Sequence, residues 1–151
     1  MGGTIDIPYR GGFVGNTHRF ALRVYFEDTD LAGIVYYANY LKFMERARSD
    51  MLRAVGIAQR DAIEAGEGVY AVADLAIKYR RPAKLDDELV VVSEVVEVRA
   101  ASCVIHQRVM RGDEILTDAT VTAAFLTLDG RPKRQPRAWI DTFERLKREG
   151  E

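Results

Sequence analysis

Residues 24–48 read "VYFEDTDLAGIVYYANYLKFMERAR". The stretch runs from a strand-like end through three carboxylates (Glu27, Asp28 and Asp30), a lone Gly33 and an aromatic pair into a long helical pattern. Tyr40, Met44, Ala47, Met51 and Val55 recur at steps of three or four, which predicts a helix over 38–55. Leu41, Phe43 and Leu52 widen the apolar stripe beyond a two-stranded coiled-coil seam. Lys42, Glu45, Arg46, Ser49 and Arg53 lie on or near the other side, and Gly56 stands where a C-terminal glycine stop belongs. A stripe this broad belongs to a helix that is wrapped by its surroundings.

What wraps it follows downstream. After a short helical piece at 58–65 and the glycines Gly66 and Gly68, the chain reads as strand over 69–80, 88–99, 102–111 and 115–128. Turn chemistry separates these runs at Lys84-Leu85-Asp86-Asp87, Ala100-Ala101 and Arg111-Gly112-Asp113-Glu114. Pro82 cannot donate to a ladder and marks a strand end or bulge. Upstream, 19–26 alternates as a strand. Residues 1–17, glycine-rich and without a period, read as a flexible arm. The tail over 137–151 carries Trp139, Ile140, Phe143 and Leu146 on one helical face. The division is therefore an arm at 1–17, a single domain at 18–136 and a C-terminal amphipathic helix at 137–151. The class is α+β, with an antiparallel sheet curled around one long helix. One helix leaves the outer face or an edge of such a sheet uncovered, which predicts an oligomer.

Composition narrows the function. A chain of 151 residues, 48% hydrophobic and 30% charged, suits one soluble domain. A formal net charge of −1 without a basic run removes the footprint of nucleic-acid binding. No apolar run reaches the ~20 residues of a membrane span. One cysteine, Cys103, rules out an internal disulfide and suits a reducing compartment, so the expected location is cytoplasmic.

The acids admit three readings. Asp28, Asp30 and Gly33 match positions one, three and six of a calcium-binding EF-hand loop. Ala32 and Asn39, however, occupy positions five and twelve, where ligands are required. The two histidines, His18 and His106, have no partner at metal-ligand spacing. Helix capping is the second reading, although Asp30 stands too far before the helix and Asn39 is the better cap. The third reading sets a carboxylate opposite the free N–H groups of a helix N-terminus, which can hold an oxyanion while the acid attacks or activates water. Arg48 falls inside the apolar stripe. The spacing predicts a stem packed on the core and a head paired to Glu45.

"EDTDLAGIVYYANYLKFMERAR" closely resembles the signature of the 4-hydroxybenzoyl-CoA thioesterase family of hotdog-fold proteins, and within it the Tol-Pal-associated acyl-CoA thioesterases of the YbgC type. "IKYRRPAKLDDELVV" (77–91) and "LDGRPKRQP" (128–136) extend the resemblance to roughly residues 20–136. The resemblance implies a hotdog fold whose domains pair edge to edge, often doubling to a homotetramer. It implies Asp30 as catalytic carboxylate and Tyr37 as the residue whose main-chain N–H meets the thioester carbonyl. The YbgC type usually has histidine where Tyr37 stands, so this chain offers the backbone donor without an imidazole. The substrate implied is a small or medium acyl-CoA or an acyl carrier protein thioester, with no separate cofactor. A non-catalytic module binding acyl thioesters or proteins is the alternative from another class. Strand residues around Tyr79 would join the site. Arg80, Arg81, Lys84, Lys133 and Arg134 are candidates for the coenzyme A phosphates.

Overall fold

The computed structural model describes residues 4–147. Six strands, β1 (Gly12–Val14), β2 (Thr17–Arg23), β3 (Val69–Tyr79), β4 (Glu88–Val98), β5 (Ser102–Arg111) and β6 (Glu114–Leu126), form one sheet. All its neighbours are antiparallel, and the order is β1-β2-β4-β5-β6-β3. The long helix α1 (Asn39–Ala54) lies against β2, β4 and β5 inside the curl of the sheet. A short α2 (Gln59–Glu64) leads into β3, and α3 (Arg137–Leu146) packs on β4. Of the predicted tail helix 137–151, residues 148–151 lie outside the described residues.

The sequence pattern accounts for the buried face of α1 and for its C-terminal end. Its buried face is Tyr40, Phe43, Met44, Ala47 and Met51, joined by Leu52 and Asp50. Beyond Val55 the chain turns at Gly56, whose φ of 88° suits glycine. There the Ile57 N–H donates to the Leu52 carbonyl (2.9 Å) and the Gly56 N–H to Arg53 (3.1 Å). These bonds form a Schellman stop, with Ile57 and Leu52 in the same buried cluster.

The core divides into two apolar clusters. One packs Tyr40, Phe43, Met44 and Ala47 on Val24, Leu89, Val91, Val109, Leu116 and Val121. The other packs Met51, Leu52 and Ile57 on Val95, Cys103, Ile105 and Phe143 of α3. Between them runs a buried polar layer. Asp50 Oδ2 accepts from His18 Nε2 (2.8 Å) and from the Gly11 N–H (3.0 Å). The Gln107 amide donates to the Met44 carbonyl (3.1 Å) and to Ser93 Oγ (2.9 Å). These bonds pair Asp50, Gln107 and Ser93, which would otherwise be stranded away from water, although His18 Nδ1 has no partner among the described residues.

Two expectations change here. Part of the segment read as an arm is built into the fold: Gly12–Val14 pairs with β2 through a two-residue turn at Gly15-Asn16. The φ of 62° at Gly15 suits the first position of a II′ hairpin turn. A Cβ on Gly11 would stand 2.1 Å from the Arg19 carbonyl oxygen, so at least one of these glycines serves close packing. The first long strand also ends earlier than its alternation suggested, at Arg23, because Phe26–Asp28 winds into a 3₁₀ turn.

The two sheet edges differ. β1 is three residues long, whereas β3 presents eleven residues, mostly exposed, as an open edge.

Candidate active site

The acid stretch forms a tight hairpin that delivers the chain to the start of α1. Asp28 closes the 3₁₀ turn, its carboxylate accepting from the Tyr25 N–H (2.8 Å). Thr29 bridges Val35, the Asp30 N–H donates to Ile34 (2.9 Å), and the Gly33 N–H returns to the Asp30 carbonyl (3.0 Å). Gly33, with φ of 81°, makes the turn possible. Asp30 therefore stands at an exposed tip. One carboxylate oxygen accepts from the Ala32 N–H (2.8 Å), and the other has no partner among the described residues.

Asn39 is not the helix cap. It is the first residue of α1, Ala38 precedes it, and no side chain caps the helix. The Asn39 amide instead donates to the Asp28 carbonyl (2.9 Å), which also accepts from the Tyr36 N–H (3.0 Å). This ties the helix start to the acid turn. The Asn39 N–H donates to Tyr36, but no acceptor among the described residues takes the Tyr37 N–H. Two residues before α1 the chain thus keeps an unspent donor, and the positive end of the helix dipole lies beside the acid hairpin.

A second layer holds this arrangement. The Tyr40 hydroxyl, buried, accepts from the Ala83 N–H (3.0 Å), and the Ala83 carbonyl accepts from the Val35 N–H (2.8 Å). Burial pushes the Tyr40 phenol above its ordinary pKa. The loop from Pro82 is clamped by Arg111, which donates to the Pro82 carbonyl (3.2 Å) and to Asp87 (2.6 Å). Burial opposes ionisation of Asp87, yet the Lys84 N–H and the Arg111 guanidinium outweigh it and hold its carboxyl below the ordinary range. Nothing in the spacing of Tyr40, Ala83, Asp87 and Arg111 announced these ties, which join segments far apart in sequence.

Of the other predicted residues, Tyr79 joins the site. Its hydroxyl donates to the Tyr37 carbonyl (3.2 Å), and its ring meets those of Tyr37 and Tyr40 edge-on. Arg80 and Arg81 follow at the same end of β3, near Asp118 (3.8 Å) and Glu114 (3.4 Å). Lys84 bridges Ile34. Lys133 and Arg134 stand elsewhere. The Lys133 N–H donates to Phe125, eight residues along β6 from Thr117, the partner of Tyr79. That separation is ~26 Å at the rise of a strand. Lys133 Nζ is taken by the Glu67 carbonyl. Within one chain these two cations are not gathered with Asp30.

Burial pushes the Cys103 thiol up to about 12, and Gln135 beside it does not reverse this. Among the described residues no three metal-ligating side chains come together. No helix is long and apolar enough to cross a membrane.

An antiparallel sheet packed on one long helix is the hotdog architecture. The Thioesterase superfamily (4HBT) pattern matches residues 32–117, and the chain belongs to that family. It is 42% identical over 133 residues to the Acyl-CoA thioesterase YbgC of Haemophilus influenzae, covering 87% of this chain and 98% of the relative. The Acyl-CoA thioester hydrolase YbgC of Escherichia coli O157:H7 is 35% identical over 128 residues, 83% of this chain and 95% of the relative. Among solved structures, a probable thioesterase from Bartonella henselae superposes with a TM-score of 0.76 at 33% identity, covering 80% of this chain and 99% of that one.

Proposed function

We propose that this chain hydrolyses the thioester of a small or medium acyl-CoA, with Asp30 as the carboxylate and the Tyr37 main-chain N–H as oxyanion donor. The observation that carries the reading is the hairpin bonded to the helix start through Asp28, Tyr36 and Asn39, which leaves the Tyr37 N–H and one Asp30 oxygen unspent. The names of the YbgC relatives support the substrate class. A thioester oxygen against the first turn of α1 would gain about 3–4 kcal/mol of barrier reduction from one such donor. Asp30 then attacks the carbonyl carbon, giving an anhydride that water opens, or takes a proton from water as it attacks. The thiolate leaves without a strong general acid, in keeping with a site that holds no histidine.

The active unit in this reading is a homo-oligomer built on the open β3 edge. Tyr36, Tyr37, Leu41, Val72 and Tyr79 are exposed near that edge or the helix start, and a second copy would cover them. A second copy is also the route by which Lys133 and Arg134 could approach a phosphate near another chain's Asp30. The buried, unreactive thiol suits a cytoplasmic enzyme.

Release of free thiol from acyl-CoAs of graded chain length tests the reading. Turnover that peaks at a small or medium acyl group supports it. Activity on acyl carrier protein thioesters alone favours the alternative substrate, and no turnover on either leaves a binding module.

A further inference from the structure

A cavity of about 210 Å³ opens beside the C-terminal half of α1, away from the acid hairpin. Its walls are mostly apolar: Met51, Leu52, Val95, Ile105 and Phe143 are buried, Tyr70 and Val72 of β3 close the side, and Glu45, Ser49 and Gln59 form a polar margin. Into this lining the helix brings one cation. The Arg48 guanidinium is half-buried and donates to Gln107 Oε1 (2.9 Å), the only acceptor it has among the described residues. Burial, opposed by the more distant Glu45, lowers its proton affinity. The expected pair with Glu45 does not form, because the Glu45 carboxylate accepts instead from Ser49 Oγ (2.7 Å). Gln107 is held by Ser93 and the Met44 carbonyl, so Arg48 is braced by a neutral amide that cannot balance its charge.

A guanidinium has five donors in a planar fork, and one bond leaves most of them unspent. A charge kept in apolar surroundings without a carboxylate partner is costly, and replacing it with an apolar side chain would ordinarily stabilise the fold. We infer that the cavity binds an apolar chain ending in a carboxylate, received by Arg48. With the Glu45 carboxylate at the margin spent on Ser49, the unspent guanidinium donors of Arg48 commit the site to that chemistry over a neutral lipid. Two sources would supply it: a free fatty acid, or the far carboxylate of a dicarboxylic acyl thioester. Arg48 lies eleven residues beyond Tyr37, ~16 Å at the helical rise, a length comparable to a medium-length acyl chain. The free-acid arm stands apart from the proposed catalysis, and the thioester arm rests on it.

Titration calorimetry with dodecanoate and dodecanol, on wild type, Arg48→Met and Ala123→Leu, tests the inference. Wild type should prefer the acid by about tenfold or more, the worth of a charge-assisted bond. Arg48→Met should lose that preference while keeping dodecanol affinity and the native circular dichroism spectrum. Ala123→Leu, which fills the cavity wall, should weaken both ligands. Dodecanedioyl-CoA turned over with higher kcat/KM than dodecanoyl-CoA, an advantage lost in Arg48→Met, would identify the acyl chain as source. Dodecanoate binding without that advantage would identify the free acid. Equal affinity for acid and alcohol, or an acid preference that survives Arg48→Met, overturns the proposal. Absence of thiol release from every acyl-CoA would defeat the thioesterase reading while leaving the calorimetry to judge the cavity.

Discussion

Tyr40→Phe isolates one bond that holds the site to the sheet. The Tyr40 hydroxyl accepts from the Ala83 N–H at 3.0 Å, and Ala83 is fully buried. Removing the oxygen changes no hydrocarbon packing but strands a donor that water cannot reach. An exposed bond of this kind would contribute only ~1 kcal/mol, whereas an orphaned buried donor costs about 1–3 kcal/mol. We expect a loss near 2 kcal/mol, which for a chain of this length lowers Tm by ~4–8 °C. Urea unfolding followed by fluorescence should show a lower midpoint with an unchanged m-value. The Ala83 carbonyl receives the Val35 N–H, so the acid hairpin should also loosen and thiol release should fall alongside stability. An unchanged midpoint at unchanged m would refute the claim that this hydroxyl joins the helix to the loop behind the site.

Tyr37→Phe should stay active, since it leaves the main-chain N–H in place, whereas Tyr37→Pro should lose most turnover with its donor; a folded but inactive Tyr37→Phe would refute the backbone assignment. Asp87, whose carboxyl is held low, stabilises the fold above the ordinary carboxylate pKa of about 3.9, and that contribution is lost as pH falls through the folded value. The stability gap between wild type and Asp87→Asn should therefore be full at neutral pH and close on acidification; a gap constant with pH in denaturant titrations would contradict it. Light scattering at micromolar concentration should give a dimer or tetramer, and an active species near 17 kDa would contradict the argument from the open β3 edge.

Local pattern carried most of the fold. The stripe from Tyr40 to Val55, the Gly56 stop and the strands over 69–126 depend on neighbours in sequence, and the structure reproduces them within a few residues. The short β1 escaped because three residues show no period, and its pairing rests on one glycine turn. Asn39 was misread as a cap because its side chain has a better acceptor in Asp28, eleven residues back across the hairpin. Arg48 was misassigned for the same reason at longer range. Helical spacing offers it Glu45, while the sheet brings Gln107 from 59 residues away. The motif sets Asp30 and Tyr37 close together at the hairpin and the helix start, as they lie in the structure, whereas Lys133 and Arg134 share only their charge with that region. Spatial grouping of cations from separate strands is a property of register, which spacing does not encode.

Asp30→Asn asks directly whether the Asp30 carboxylate performs the hydrolysis. The substitution keeps an acceptor for the Ala32 N–H, so the turn should persist and circular dichroism and oligomeric state should match wild type. An amide is neither nucleophile nor base at this position, so thiol release should fall by about a hundredfold or more. Asp28→Asn, altering a carboxylate spent on the Tyr25 N–H, should do far less. An Asp30→Asn enzyme that releases thiol within a few-fold of wild type would contradict the account.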